Sequence, residues 1–105
     1  MDLVIRGADI YDGRGGSPYK GDVGVSDGRI AAVGVVDAKG AEEIDASGLA
    51  LMPGIIDSHT HFDAQITWDP WCTPSPALGV TSVLIGNCGF TIAPCKAPDR
   101  DLIMK

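Results

Sequence analysis

The sequence predicts a mainly β chain with some α, divided at Pro53-Gly54 into a β-sandwich segment (1–53) and a βαβ portion (54–105). Three observations carry this reading. Short β-prone runs recur up to Met52, each ended by a turn rich in glycine or aspartate. Nothing in that half holds an apolar period of 3.6 residues over three turns. Beyond Pro53-Gly54 the order becomes apolar strand, short helix, apolar strand, which favours parallel pairing through a crossover.

Leu3-Val4-Ile5-Arg6 and Ala8-Asp9-Ile10-Tyr11 read as strands on either side of Gly7, and Gly13 to Gly21 reads as a loop. Asp22 to Val25 and Arg29 to Val33 surround Ser26-Asp27-Gly28. An Asp-Gly pair between β-prone runs marks a hairpin, because glycine accepts the positive φ of a type I′ turn. Ala38 to Glu43 is a loop, and Glu43 to Asp45 and Leu49 to Met52 are short strands around Ser47-Gly48. After Pro53-Gly54, Ile55 to His61 reads as a buried strand with a polar end. Thr73-Pro74-Ser75 opens a short helix through Leu78. Thr81 to Ile85 is a second apolar strand, running into Gly86-Asn87-Cys88-Gly89, and Asp99 to Lys105 starts another helix.

Bulk properties narrow the function. The 105 residues make one small domain, too short for a complete TIM barrel of about 250 residues. Eight basic against 14 acidic residues give a net charge of -6, with no basic stripe for nucleic acid or for an anionic membrane surface. No apolar run approaches the ~20 residues of a membrane-spanning helix, and the first residues lack the pattern of a signal peptide. Three cysteines are an odd number and too few for a disulfide scaffold. A cytoplasmic location is the expectation.

His59-Thr60-His61 is the strongest chemical feature, and it holds both histidines of the chain. On a strand, residues i and i+2 share a face with Cα atoms about 6.6 Å apart, so two imidazoles converge on one metal ion. The plainer reading is a polar pair closing an apolar strand. Asp57 lies on the same face two residues deeper, placed either to accept an imidazole N–H or to serve as a structural carboxylate. Asp63 follows the strand and either enters a substrate pocket or caps a loop. Cys88 closes the second apolar strand. By local chemistry it is a metal ligand or a small buried hydrophobe. A structural zinc site of His59, His61, Cys88 and Cys95 is a rival, although H-x-H with C-x₆-C is not a common finger spacing. Cys72 and Cys95 otherwise pack as small side chains, and Trp68 and Trp71 read as core or loop anchors.

Pro53-Gly54-Ile55-Ile56-Asp57-Ser58-His59-Thr60-His61 closely resembles the first barrel strand of the amidohydrolase superfamily. Leu3 to Gly7 and Asp27 to Gly34 resemble that superfamily's N-terminal β-sandwich segment. His61-Phe62-Asp63-Ala64-Gln65, Trp68-Asp69-Pro70, Gly79 to Val83, Gly86-Asn87-Cys88-Gly89-Phe90 and Ala93-Pro94-Cys95 narrow the resemblance to N-acyl-D-amino-acid deacylases.

The resemblance implies a fold in which the sandwich segment leads into the first strands of a TIM-type (β/α) barrel, here incomplete. It implies that His59, His61 and Cys88 bind zinc, of which the family holds one or two ions. It also implies hydrolysis of the amide of a small N-acyl amino acid. The family draws its carboxylate base and further histidines from later strands, so no catalytic residue is expected within this chain. The chain accordingly reads as the N-terminal part of such an enzyme, inactive alone. The non-enzymatic alternative is a small β-module, forming a homo-oligomer through exposed strands or a strand-swapped dimer.

Overall fold

A computed structural model of the chain describes residues 1–88 and 91–103. They form two compact units, Met1–Pro53 and Gly54–Lys105. Strands predominate and the helices are short. Among the described residues no helix is long and apolar enough to cross a membrane.

The first unit is a five-stranded sheet. Its strands are β1 (Leu3–Ile10), β2 (Tyr19–Ser26), β3 (Arg29–Gly34), β4 (Glu42–Asp45) and β5 (Ala50–Leu51). β1 is central. It pairs antiparallel with β2 on one side, and on the other it pairs parallel with β4 along its first half and with β5 along its second. β2 and β3 form the expected hairpin, and φ values of 51° at Asp27 and 69° at Gly28 are those a type I′ turn needs. β2 begins at Tyr19, inside the stretch expected to be loop, because Tyr19 and Lys20 pair with Ile10 and Asp9. The five strands make one sheet, with β4 and β5 both pairing on the same side of β1.

Gly7 does not divide two strands; it sits in a bulge inside one. Ile5 pairs with Val23 and Ala8 with Gly21, so Arg6 and Gly7 together face Asp22. Such an insertion reverses the in–out alternation. Val4 therefore shares a face with Gly24 and is fully buried, whereas Ile5, Ala8 and Ile10 all point to the opposite face. The core there is Ala8, Ile10, Val23 and Ala46, flanked by Ile5, Val25 and Leu51. Gly7 has φ +67°, and a Cβ there would come within 3.0 Å of Ser47 Oγ. Beyond the core this face opens into a groove of about 650 Å³ lined by Ile5, Val25, Ile30 and Val33 among others.

Polar groups hold the bulge. Gly7 N–H donates to Asp22 Oδ1 at 2.9 Å, which satisfies the amide that the bulge takes out of the ladder. The Arg6 guanidinium donates to Asp22 Oδ2 at 3.0 Å, to Glu43 Oε1 at 2.8 Å and to the carbonyls of Val36 and Ala38. One side chain of β1 thus ties β2, β4 and the loop after β3.

The second unit holds β6 (Ile55–Asp57) and β7 (Val80–Val83), paired in parallel. Between them lie α1 (Phe62–Gln65) and a 3-10 turn, Ser75–Leu78, where the short helix was expected. A further 3-10 turn at Ala97–Asp99 leads into α2 (Arg100–Ile103). The expected helix from Asp99 is present to that point, and its last two residues lie outside the described ones. β6 is shorter than expected and not buried: Ile56 is 69% exposed. Parallel strands become buried when helices cover both faces, and α1 spans only four residues.

The Gly7 N–H first and then the Arg6 guanidinium hold the Asp22 carboxyl below its ordinary range. Arg6 and then the Gly40 N–H do the same for Glu43. Groups with depressed folded values add stability above the unfolded carboxylate range of about 4, and this is lost as pH falls through the folded values. Urea midpoints followed from about pH 6 down to about pH 2 should show an acid decline that is shallower in Arg6→Met than in the wild type. Equal declines would contradict the assignment.

Candidate metal centre

β6 ends at Asp57, so His59 and His61 lie beyond the strand, in the turn that leads into α1. The i, i+2 spacing on one strand face is therefore not what brings them together. Asp57 Oδ1 accepts the main-chain N–H of His59 at 3.1 Å, which turns the chain out of the strand. The contact found for Asp57 is to this backbone N–H rather than to an imidazole. The imidazoles lie side by side, with ring centroids 6.1 Å apart and planes 23° apart.

Parallel pairing brings the second segment alongside. Leu84 N–H donates to the Asp57 carbonyl at 2.8 Å, continuing the ladder past β7. Cys88 follows in the same direction that His59 and His61 take from β6. One ligand atom from each of His59, His61 and Cys88 lies within 4.8 Å of the other two, and all three residues are exposed. Two further bonds join the segments: Thr60 Oγ1 donates to the Leu84 carbonyl at 2.7 Å, and Asn87 Nδ2 donates to the Ser58 carbonyl at 2.7 Å.

Asp63, in α1, is only 2% exposed. Its Oδ2 accepts the Gly86 N–H at 2.9 Å, and its Oδ1 has no hydrogen-bond partner among the described residues. Cys95 is outside the three-residue group. Its thiol donates to the Lys96 carbonyl at 3.3 Å. Cys72 and Cys95 are half-buried, and all three cysteines are free. Of the Gly86-to-Phe90 motif, Gly89 and Phe90 lie outside the described residues.

Trp68 and Trp71 are 71% and 79% exposed, so neither is a core residue. Asp69 organises their turn instead, accepting from Gln65 Nε2, Trp71 N–H, Thr73 N–H and Thr73 Oγ1. The Thr73 hydroxyl first, and then Gln65, hold the Asp69 carboxyl below its ordinary range.

The donors suit a metal. Two neutral imidazoles and a thiolate favour a borderline-soft divalent ion such as zinc over magnesium or calcium, which take oxygen ligands. Ligands bound at about 2.0–2.3 Å from one ion lie roughly 3–4 Å from each other, so the observed separation needs little side-chain adjustment. Sequence reasoning singled out these three residues, and Gly86 and Asn87 as neighbours of Cys88, but not the tethering roles of Thr60, Gly86 and Asn87. The one available signal was the small polar Thr60 enclosed between two histidines.

Residues 42–105 match the model of the amidohydrolase family. The chain is 48% identical over 94 residues to an N-acyl-D-aspartate deacylase of Alcaligenes xylosoxydans xylosoxydans, covering 89% of this chain and 19% of the relative. A D-aminoacylase structure, described for its binuclear metal centre, superposes with a TM-score of 0.81 at 39% identity over 97% of this chain and 23% of that one. An N-acyl-D-glutamate deacylase from Bordetella bronchiseptica, complexed with zinc and a phosphonate mimic of the tetrahedral intermediate, gives a TM-score of 0.80 at 42% identity. That match covers 92% of this chain and 21% of the neighbour. The chain thus spans about a fifth of the length of these relatives.

Thr60 is buried and its hydroxyl joins the two ligand-bearing segments. Thr60→Val is expected to lower the unfolding free energy by about 1 kcal/mol, the usual worth of such a bond, as read by chemical denaturation.

Proposed function

The chain belongs to the amidohydrolase family, and on that premise we propose that it carries the first metal ligands of a zinc-dependent hydrolase acting on the amide bond of N-acyl-D-amino acids. In this reading residues 1–53 are one layer of a β-sandwich segment, and residues 54–105 are the first βαβ portion of a TIM-type barrel. The reading rests on one observation above the others: donor atoms of His59, His61 and Cys88 within 4.8 Å of one another. Support also comes from relatives whose names specify deacylation of N-acyl-D-amino acids.

His59, His61 and Cys88 would hold the ion. When bound, zinc supplies Lewis acidity toward an amide carbonyl and toward water. The chain's own contribution is to present two imidazoles and a cysteine sulfur on neighbouring turns. Exposure of all three leaves the substrate side open to a small molecule. The nearby carboxylates are otherwise engaged: Asp57 holds the His59 amide and Asp63 the Gly86 amide. Neither is assigned as the general base that amide hydrolysis needs, so these 105 residues alone bind metal but do not turn over substrate. The acidic net charge of -6 argues against nucleic-acid and membrane partners. Three free cysteines support a cytoplasmic location.

A second reading, a non-catalytic β-module that pairs with another copy through its exposed strands, is favoured by the apolar groove of the first unit. Sedimentation analysis checks it: a dimer that Ile30→Lys converts to monomer supports pairing through that face, and a monomeric wild type refutes it.

Equilibrium dialysis should give a zinc-binding wild type. His59→Ala, His61→Ala and Cys88→Ser should each weaken binding by about 100-fold or more, beyond the range seen for outer-layer partners. Unchanged affinity in the triple variant would refute the site. No hydrolysis of N-acetyl-D-glutamate or N-acetyl-D-aspartate is expected from this chain alone.

A further inference from the structure

We propose that Asp63 is a positioning residue whose buried carboxylate holds the Gly86–Cys88 segment against the turn that carries His59 and His61. The bond from the Gly86 N–H to Asp63 Oδ2, 2.9 Å long, sits at equal remove from two candidate ligands. Asp63 is two residues beyond His61, and Gly86 is two residues before Cys88. A single bond therefore fixes the relative position of the segments where the donors converge. What Cys88 is held for rests on the zinc-site reading; the hold itself does not.

Three features distinguish this carboxylate from an incidental contact. Asp63 is 98% removed from solvent, since it is only 2% exposed, and its Oδ1 is buried without a hydrogen-bond partner among the described residues. Burying a carboxylate so sparsely bonded is unfavourable, so the residue adds little to stability that an apolar side chain would not. What the carboxyl does provide is an acceptor for a backbone N–H of the facing segment, at 2.9 Å. Gly86 is shaped to offer that N–H: its φ is +80°, and a Cβ there would meet Thr91 Oγ1 at 3.3 Å. The other tethers, Thr60 to Leu84 and Asn87 to Ser58, bracket Gly86 along the chain. Asp63 supplies the middle restraint. Ligand constellations depend on being held within about 0.5 Å by such supporting groups.

The test uses the ¹⁵N-labelled chain and Co²⁺ as the probe ion. In the wild type the Gly86 amide should exchange slowly with solvent, and Co²⁺ should give the charge-transfer absorption of a bound thiolate, which Cys88→Ser removes. Asp63→Ala should speed Gly86 exchange at least about tenfold, the equivalent of one hydrogen bond. It should also weaken the thiolate band relative to the imidazole-dependent ligand-field bands. Asp63→Asn keeps an acceptor of the same reach and should restore both, with the Gly86 proton resonance shifted because an amide oxygen replaces a carboxyl oxygen as its acceptor. That shift gives a reading even where the alanine variant does not fold. A Gly86 resonance unmoved in Asp63→Asn, or exchange and band unchanged in a folded Asp63→Ala, would overturn the proposal. A wild type without the thiolate band, but with Gly86 protection that depends on Asp63, would sink the zinc reading and leave the positioning role standing.

Discussion

The candidate site depends on the parallel register of β6 against β7. Parallel neighbours deliver the ends of both strands to one edge, and whatever side chains follow those ends meet there. The Leu84 amide on the Asp57 carbonyl extends that register just past the strands. Without it, His59 and Cys88 would be distant positions in sequence with nothing to join them. The side-chain bonds of Thr60, Asp63 and Asn87 refine a proximity that the backbone has already created. The metal-type cluster is thus a product of topology first and of local chemistry second.

In the first unit the comparable element is the Arg6-Gly7 bulge. One inserted residue puts Ala8 and Ile10 on the face opposite Val4, where regular alternation would have kept all three together, so β1 contributes apolar side chains to both sides of the sheet. Asp22 stabilises the irregularity through both of its oxygens, taking the Gly7 amide on one and the Arg6 guanidinium on the other. Arg6 is in turn raised above its ordinary value, by Glu43 first and by Asp22 second. A bulge that uses the same acidic residue for its amide and its ion pair couples strand register to electrostatics.

Much of this could be read from the residues. β-prone runs on either side of Asp27-Gly28 located the hairpin, and His59-Thr60-His61 with Cys88 gave the candidate donors. Other parts were illegible for physical reasons. Gly7 looked like a break because a bulge and a turn use the same positive φ, and only the facing Asp22 tells them apart. Ile55-Ile56 looked buried because apolar runs report what a fold can cover, not whether the covering is present. Trp68 and Trp71 looked like anchors, yet the turn is organised by the four donors around Asp69. The tethering roles of Thr60, Gly86 and Asn87 were not legible, since bonds between segments that are remote in sequence carry no periodicity.

The central place of β1 also has a temporal side. The ribosome makes β1 before β2, β4 and β5, yet the sheet places it between β2 and the pair formed by β4 and β5. Its β2 edge can close once Ser26 has emerged, while the opposite edge stays open until Leu51 follows. At the usual ~5–20 residues per second this leaves an unpaired edge exposed for about 1–5 s on every nascent chain. That edge is when and where a growing polypeptide of this sequence is most open to capture by a chaperone or by a neighbouring nascent chain.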